Sequence, residues 1–533
     1  MPVPWPRRVM LFGLTVASGL LIEGAVGAAA SVVDARLCSN QDKNQAAERI
    51  AACKRVIASG RLSGKRAGVA YGLRGLAYLD RGDVPHAIAD FNRSIELAPD
   101  FAPAYQNRGN AWYARGNFGQ ALADYDDAIR LEPDNPSPYI NRATVRRTLG
   151  HVAGAIQDYE KAISISPNSA SAYAGRGQIY LRQSERARAI ADFDRAIKLA
   201  PSAYNFMLRG EARQTTGEID GALSDYAEAA RRDPKYVAAF TAQAAIWRSK
   251  GDLDKAIALY NDAVLADQKR ASTYKLRAQA LAEKGDYKGA IADINHAIQF
   301  GWNPEFIMLR GAMRFESGDL NGALSDANAL LKLDANNSAA LTLRGSALHR
   351  KKQYRPALDA LTRAIESDGH NAHAYAERAQ VWMATSAHER AFADLNRAIS
   401  LGALGAEPYY RRGMILKSKG QSDQAIADFS EAIKRDPRRT AAYYQRGMLR
   451  EQAGDAYQAI YDYQAAYKID PGLKDARTAW ARAYAAYARK QGPAVESQVE
   501  NGERTAGTEG KTKEAVTGSV DRTGAKTPAK TDN

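Results

Sequence analysis

Residues 102–135 read APAYQNRGNAWYARGNFGQALADYDDAIRLEPDN, a stretch of 34 residues that determines how the rest of the chain is interpreted. Two sets of residues recur in it at spacings of three and four, namely Tyr105, Gly109 and Trp112, then Ala121, Tyr125 and Ala128. Such spacings place each set on one face of an α-helix. Gly116 and Asn117 lie between the two sets and are typical of a tight turn. The stretch therefore predicts two amphipathic helices joined by a short loop.

The same pattern returns twelve times and covers the chain from Gly68 to about Leu473. The units start at Gly68, Ala102, Pro136, Ala170, Ala203, Val237, Ala271, Pro304, Ser338, Ala372, Ala406 and Thr440. Position 8 is Gly or Ala in every unit, and position 20 is always Ala. We expect these small residues, such as Gly109 and Ala121, to form the contact where the two helices cross. A single hairpin cannot bury its apolar face alone, so the units must stack.

This unit resembles the tetratricopeptide repeat, whose pattern has a large residue, Gly, an aromatic residue, Ala, an aromatic residue and Pro at these spacings. The resemblance implies an all-α, right-handed superhelical solenoid of antiparallel helix pairs. It also implies that the first helices line a concave face. Positions 2, 5, 9, 12 and 13 of each unit would point into that face and contact a partner.

The N-terminal residues predict export. Residues 1–30 have the features of a secretory signal peptide: Arg7 and Arg8, an apolar run over residues 9–22, and small residues before Ser31. The alternative is that the segment is not cleaved and serves as an N-terminal membrane anchor. This is the only way in which we expect the chain to associate with a membrane. Cleavage would leave a periplasmic or secreted protein, if the source is bacterial.

Residues 31–67 are predicted to cap the N-terminal end of the array. The spacing over residues 46–59 matches a second helix that no first helix precedes, which is half a repeat. Cys38 and Cys53 are the only cysteines. In an oxidising compartment they predict a disulfide whose loop of about 15 residues stabilises the cap by roughly 3 kcal/mol. Free thiols or a metal site are the alternatives.

The C-terminal end is predicted to close similarly. Residues 474–490 match a first helix through Trp480, Ala481 and Tyr484. Residues 491–533 lack an apolar period and are predicted to be disordered, because they cannot bury enough surface to offset their ordering entropy. The net charge of +14 is dispersed, without a basic run interleaved with aromatic residues. This distribution argues against a nucleic-acid partner.

Two rows of charged residues depart from the usual repeat. Position 7 is Arg in eleven units and position 23 is Asp in ten, as in Arg108 with Asp124, Arg142 with Asp158, and Arg412 with Asp428. The sixth unit has Gln243 and Leu259, and the ninth has Arg344 opposite Ala360 with Asp359 adjacent. The joint loss in the sixth unit favours Arg–Asp pairs, within a unit or between neighbours. A row of Arg that binds acidic ligands is the rival interpretation.

Apolar residues at the partner-facing positions give the candidate binding surface. They are Tyr113, Met207, Met308, Phe315, Met383, Tyr410, Met414, Tyr444 and Met448. Met adapts to irregular surfaces, and Tyr offers an apolar ring with a polar tip, so such a surface suits a peptide or a partner helix. The alternative is that these side chains pack between neighbouring first helices.

The sequence contains no catalytic constellation, and it predicts neither a cofactor nor a metal. There is no phosphate-binding loop, H-E-x-x-H or G-x-S-x-G motif. His370, His373 and His388 are weak evidence for a metal site. We therefore predict an exported, non-enzymatic scaffold that binds protein or peptide on its concave face. A carbohydrate- or cell-wall-binding accessory protein is the alternative, because grooves rich in Tyr stack on sugars and the chain has 27 Tyr.

Overall fold

The computed structural model of the chain describes residues 32–40 and 42–491. This part holds 27 α-helices, one 3-10 helix and no β-strand. No helix in it combines the length and the apolar composition that crossing a membrane requires. The predicted signal peptide, residues 1–30, and the predicted disordered tail beyond Gln491 lie outside the described residues.

The described residues form two compact bodies that divide after Asp286. The N-terminal body begins with α1 (Val32–Ser39), a 3-10 helix (Lys43–Gln45) and α2 (Ala46–Ala58). Its first helices are α3 (Gly64–Asp80), α5 (Ala102–Ala114), α7 (Pro136–Thr148), α9 (Ala170–Arg182), α11 (Ala203–Thr216), α13 (Val237–Ser249) and α15 (Ala271–Lys284). Its second helices are α4 (Val84–Leu97), α6 (Phe118–Leu131), α8 (Val152–Ile165), α10 (Arg186–Leu199), α12 (Ile219–Arg232) and α14 (Leu253–Ala266).

The C-terminal body begins with the second helix of the seventh unit, α16 (Tyr287–Phe300). Its first helices are α17 (Pro304–Glu316), α19 (Ser338–Arg350), α21 (Ala372–Ala384), α23 (Glu407–Ser418) and α25 (Thr440–Gln452). Its other second helices are α18 (Leu320–Leu333), α20 (Tyr354–Ser367), α22 (His388–Ser400), α24 (Ser422–Arg435) and α26 (Ala456–Ile469). The closing helix is α27 (Lys474–Gln491).

Within each body, every helix packs on the next one along the chain, and first helices also contact first helices of adjacent units. Examples of the second kind are α7 with α9, and α19 with α21. Each body thus has a layer of first helices and a layer of second helices, with the apolar faces between them. This arrangement confirms the predicted all-α solenoid of helix pairs. The right-handed superhelical form stays a prediction.

Helix starts follow the predicted register closely. Ten of the twelve first helices begin at the predicted residue, while α3 begins at Gly64 instead of Gly68, and α23 at Glu407 instead of Ala406. The turn inside each unit explains this regularity. Gly116 adopts a φ of +76°, which glycine tolerates without strain, and the side chain of Asn117 then caps α6 by accepting from the amide of Gln120.

The helix crossing differs in detail from the expected Gly109–Ala121 contact. Ala121 is fully buried, but a β-carbon on Gly109 would meet the ring of Tyr125 first, at 2.7 Å from Cε1. Tyr125 is itself 1% exposed. The absent side chain of Gly109 therefore makes room for the ring of the aromatic residue at position 24.

The N-terminal cap corrects the expectation of a lone second helix. The short helix α1 precedes α2, and a disulfide joins Cys38 of α1 to Cys53 of α2. Both cysteines are fully buried. Arg49 occupies the position where later units carry Asp, and its Nη1 donates to Asp80 of the first unit at 2.7 Å. The cap thus also contains an Arg–Asp ion pair between helices. Here the Arg lies on the second-helix equivalent, α2, and the Asp lies on the first helix, α3.

Candidate functional site

The rows of Arg and Asp form pairs within units. In nine units the Arg donates from Nε to one carboxylate oxygen and from Nη2 to the other, over 2.5–3.0 Å. The pairs join Arg74–Asp90, Arg108–Asp124, Arg142–Asp158, Arg176–Asp192, Arg209–Asp225, Arg310–Asp326, Arg378–Asp394, Arg412–Asp428 and Arg446–Asp462. These Asp side chains are almost completely buried. The paired Arg are therefore occupied inside the fold, which argues against a row that binds acidic ligands.

In several units the remaining guanidinium nitrogen connects the unit to the one before it. Nη1 of Arg108 donates to Asn92 at 2.8 Å, and Nη1 of Arg142 donates to Asp126 at 2.5 Å. Arg412 likewise donates to Asn396 at 2.8 Å. These acceptors all hold position 25 of the preceding unit. One side chain thus stabilises both the hairpin and its stacking on the neighbour.

A second Arg, which the sequence interpretation missed, joins some of the pairs. Arg146 donates from Nη1 to Asp158 at 2.8 Å, and Arg213 to Asp225 at the same distance. A β-carbon on Gly154 would lie 3.3 Å from Cδ of Arg146. The signal was present in the sequence: Arg at position 11 occurs with Gly at position 19 in the third, fifth and eighth units. Glycine there is not a requirement, because Arg450 of the twelfth unit donates to Asp462 at 2.8 Å with Gln458 at position 19.

Two units lack one or both of the residues that form the pair. In the sixth, Gln243 is buried and donates to the carbonyl of Ala239 at 3.2 Å, while Leu259 packs in the apolar core. In the ninth, Arg344 is half-buried, and no hydrogen bond or ion pair joins it to any residue in the described part of the chain. Asp359, adjacent in sequence, is exposed and does not pair with it. A buried methyl group, that of Ala360, stands where the other units have a carboxylate.

We predict that Ala360→Asp stabilises the protein by about 1 kcal/mol, because a new carboxylate would accept two hydrogen bonds from Arg344. The measurement is the urea concentration at which the ninth unit is half unfolded, with unfolding detected by hydrogen exchange over residues 338–367. In an Arg344→Gln background the same substitution should destabilise, because it would bury an unpaired charge. Destabilisation of equal size in both backgrounds would contradict the prediction.

The nine predicted partner-facing residues all lie within apolar clusters. Met207 is buried, and the other eight are half-buried. Tyr410 and Met414 contact the cluster around Phe429, with 5.8 Å between the Tyr410 and Phe429 ring centroids. The others pack likewise: Tyr113, Met207, Met308, Phe315, Met383, Tyr444 and Met448. Packing is thus shown for all nine, and partner contact stays a prediction.

Two of them, Tyr444 and Met448, also line an open pocket of about 630 Å³ in the C-terminal body. We call it the end pocket. Its walls are formed by α25, by Tyr463 of α26 and by α27, and its lining residues are Tyr444, Met448, Glu451, Gln452, Tyr463, Asp475, Thr478, Ala479 and Arg482. The four residues from α25 occupy positions 5, 9, 12 and 13 of the twelfth unit, which are positions that the resemblance assigns to partner contact.

The end pocket combines an apolar floor with a charged wall. Glu451 accepts from the hydroxyl of Tyr463 and from Nη2 of Arg482, each at 2.7 Å. Burial raises the pKa of Tyr463, and the hydrogen bond to Glu451 raises it further, so the phenol stays protonated and acts as a donor. Arg482 and Gln452 remain exposed. The pocket therefore offers an apolar surface beside donors and acceptors that reach solvent.

The sequence interpretation found the apolar half of this pocket and missed the polar half. It selected Met and aromatic residues at the partner-facing positions, so Glu451 and Gln452 were not among its candidates. Their spacing from Tyr444 and Met448 along one helix would have identified them. Arg482 could not be placed, because the sequence does not specify how the closing helix packs on the last unit.

No group of three or more His, Cys, Asp or Glu that could hold a metal ion occurs among the described residues. His370 and His388, two of the weak candidates, are exposed. The prediction of neither metal nor cofactor remains a prediction.

Several stretches match family models. A model described as TPR repeat matches residues 109–150 and 144–184. Models described as tetratricopeptide repeat match residues 207–273 and 410–474, and residues 69–101 and 170–202. No curated protein matches the sequence.

Solved structures of similar chains include a tetratricopeptide repeat protein from Parabacteroides merdae. It is 20% identical, with 46% of this chain and 97% of that chain covered and a TM-score of 0.37. YrrB, a TPR protein described as having an unusual peptide-binding site, is also 20% identical, with coverages of 34% and 94% and a TM-score of 0.28. MamA is 23% identical, with coverages of 30% and 95% and a TM-score of 0.28.

Proposed function

We propose that this chain, which belongs to the tetratricopeptide repeat family, is an exported scaffold that binds a protein or peptide partner on its first-helix face. The observation that carries the proposal is the end pocket. There, four partner-facing positions of the last unit meet the closing helix around one open volume. Repeats of this family support a role in protein interaction, and the proposal assigns no catalysis to the chain.

The chemistry of the end pocket suits a peptide segment with one apolar side chain. Tyr444 and Met448 offer ring and thioether surface, and Met in particular adapts to partners of different shape. Glu451 and Arg482 already bind each other, so a peptide would add hydrogen bonds at their edges without breaking the pair. The exposed amide of Gln452 offers both a donor and an acceptor to a peptide backbone.

Gln452→Trp tests this proposal with little risk to the fold, because the residue is exposed and its replacement fills the pocket. Gln458→Trp is the matched control, since Gln458 is exposed on the second helix of the same unit and does not line the pocket. Full-length proteins would be used to capture partners from the native cell envelope, with quantification by mass spectrometry. We expect Gln452→Trp to reduce recovery of at least one partner tenfold and Gln458→Trp to leave it unchanged. Equal recovery with both variants would refute the proposal.

A second candidate, binding of carbohydrate or cell wall, is favoured by one observation. Tyr457 and Tyr461 on α26 are 50% and 52% exposed, and their ring centroids lie 4.9 Å apart. Exposed aromatic rings stack on sugars. The paired replacement Tyr457→Ala, Tyr461→Ala should abolish retention on cell-wall polysaccharide if this candidate is correct, and should leave capture of the protein partner unaffected.

A further inference from the structure

A lysine side chain borders the end pocket on the side of the eleventh unit. Lys417 holds position 12 on α23, which is a partner-facing position, and it is half-buried. Its Nζ lies 3.8 Å from Sδ of Met448, which lines the pocket, and donates to Oε1 of Gln445 on α25 at 2.6 Å. The ammonium group of Lys417 therefore adjoins the apolar floor of the end pocket.

Lys417 and Gln445 keep donors that the fold does not use. Within the described residues, no ion pair joins Lys417 to a carboxylate. An ammonium group has three N–H donors, of which Gln445 and Met448 engage two, and the side-chain amide nitrogen of Gln445 donates to no described residue. Burial also lowers the pKa of Lys417, because the charged form has lost part of its hydration. An acceptor at this point would therefore meet both an ammonium and an amide donor.

A further group of charges, along α23 and at the start of α25, also leaves positive charge in excess. Glu407 forms an ion pair with Arg411 over 2.5 Å and another with Arg439, so one carboxylate is shared between two guanidinium groups. The guanidinium of Arg439 lies over the ring of Tyr410, 4.4 Å from its centroid, so this charge reaches the apolar cluster of the eleventh unit. An acidic ligand is therefore favoured here over a basic one.

The opposite wall of the end pocket has a different charge. Glu451 and Arg482 neutralise each other through their 2.7 Å hydrogen bond, and the remaining ionised residue of the lining, Asp475 on α27, is exposed. Positive charge thus lies on the Lys417 side and negative charge on the α27 side. A bound peptide would therefore place an acidic side chain toward Lys417 and not toward α27.

We propose that the peptide bound in the end pocket carries a glutamate or aspartate next to its apolar residue, and that Lys417 and Gln445 bind the side-chain carboxylate. The apolar residue packs on Tyr444 and Met448, and the carboxylate accepts hydrogen bonds from the ammonium and amide groups. A charge-assisted hydrogen bond to a half-buried ammonium group is stronger than one in water, because the surroundings screen it less. The inference rests on the proposed function of the end pocket and adds the charge of the partner.

Two fluorescent nonapeptide pools test the inference with the full-length chain. Leucine is central in both, between two glutamates in one pool and two glutamines in the other, and the other six positions are random among uncharged residues. A neutral fluorophore blocks the amino end and an amide blocks the carboxyl end, so only a side chain can supply the carboxylate. Fluorescence anisotropy measures binding to wild type, Lys417→Met and Lys434→Met.

Lys417→Met keeps the length of the side chain and its packing on Met448, and it removes the charge. Lys434→Met is the matched control, because Lys434 lies on α24 of the same unit and its side chain is 80% exposed. We expect wild type and Lys434→Met to bind the glutamate pool at least tenfold more tightly than the glutamine pool. Lys417→Met should bind both pools alike.

Equal binding of the two pools by wild type, or binding of neither, would overturn the inference, as would a preference for glutamate that survives in Lys417→Met. Gln452→Trp separates the failure of the inference from that of the proposed function, because it fills the pocket and should weaken the binding of both pools. Equal affinities that fall together in Gln452→Trp would overturn the inference alone. Pools that bind Gln452→Trp as tightly as wild type would refute the pocket as the peptide site, and with it both proposals.

Discussion

Replacing Asp158 by alanine is expected to destabilise the third unit by about 3 kcal/mol, because it leaves two partly buried guanidinium groups without their shared carboxylate. Asp158 accepts three hydrogen bonds, two from Arg142 at 3.0 and 2.6 Å and one from Arg146 at 2.8 Å. The side chains of Asp158, Arg142 and Arg146 are 4%, 15% and 27% exposed. Because the two Arg side chains are partly exposed, water can hydrate them after the substitution. The loss of stability therefore stays near the lower end of the range for breaking a buried ion pair.

Arg142 cannot avoid this energetic cost by losing its proton. Burial alone would lower its pKa, but hydrogen bonds to Asp158 and Asp126 raise the pKa above its ordinary value. Even with Asp158 removed, an Arg side chain remains charged in a protein, so the charge must be hydrated or the helices must separate.

Asp192→Ala provides the comparison, because Asp192 has one Arg partner, Arg176, through two hydrogen bonds. We expect its cost to be about 2 kcal/mol, smaller than that of Asp158→Ala. Urea unfolding with far-ultraviolet circular dichroism measures the global effect, and hydrogen exchange measures local opening, over residues 136–165 for Asp158→Ala and over residues 170–199 for Asp192→Ala. Local measurement is needed because repeat arrays do not always unfold in one step. Equal losses for the two variants, or a loss below 1 kcal/mol for Asp158→Ala, would contradict the role assigned to the second Arg.

Gly109→Val should cost about 3 kcal/mol, at the upper end of the range for overpacked cores. The first added carbon would lie 2.7 Å from Cε1 of Tyr125, and two methyl groups would follow it into the same crossing. The hydroxyl of Tyr125 donates to the buried Asn110 at 2.8 Å, so displacing the ring would also break a buried hydrogen bond.

Gly119→Ala is the control for Gly109→Val. Gly119 lies in the first turn of α6, and nothing stands within 4 Å of a β-carbon built there. Alanine at this site should stabilise the helix by up to about 1 kcal/mol. The two variants are compared by thermal and urea unfolding of the full chain. If Gly109→Val proves as stable as wild type, the close approach of α5 and α6 is wrong.

The repeats were predictable from sequence because one constraint recurs in every unit. A small residue at position 8 lets the side chain at position 24 approach, as Gly109 does for Tyr125, so the spacing cannot drift along the array. Position 24 is aromatic in eight units and aliphatic in the other four. The Arg–Asp pairs were predictable for a similar reason. A carboxylate buried as deeply as Asp124 requires its Arg108 partner, so no unit has the Asp without the Arg, although the ninth keeps Arg344 without an Asp.

Features that occur once could not be found in this way. Helix α1 has eight residues, too few to show a helical period, and it is held to α2 by the Cys38–Cys53 bond. The exchange of charges at Arg49 and Asp80 breaks the pattern instead of following it. Partner-facing Met and Tyr residues are ambiguous for another reason. Burial at a neighbouring unit and burial under a ligand favour the same apolar side chains, so composition cannot distinguish them.

Site-specific photo-crosslinking in the cells that make the protein tests the scaffold function most directly. A photoreactive phenylalanine analogue replaces Gln452, which lines the end pocket, or Gln458 on the second helix of the same unit, which does not. The account predicts discrete crosslinked proteins from position 452 and none of them from position 458. Identical products from both positions, or none from position 452, would contradict it.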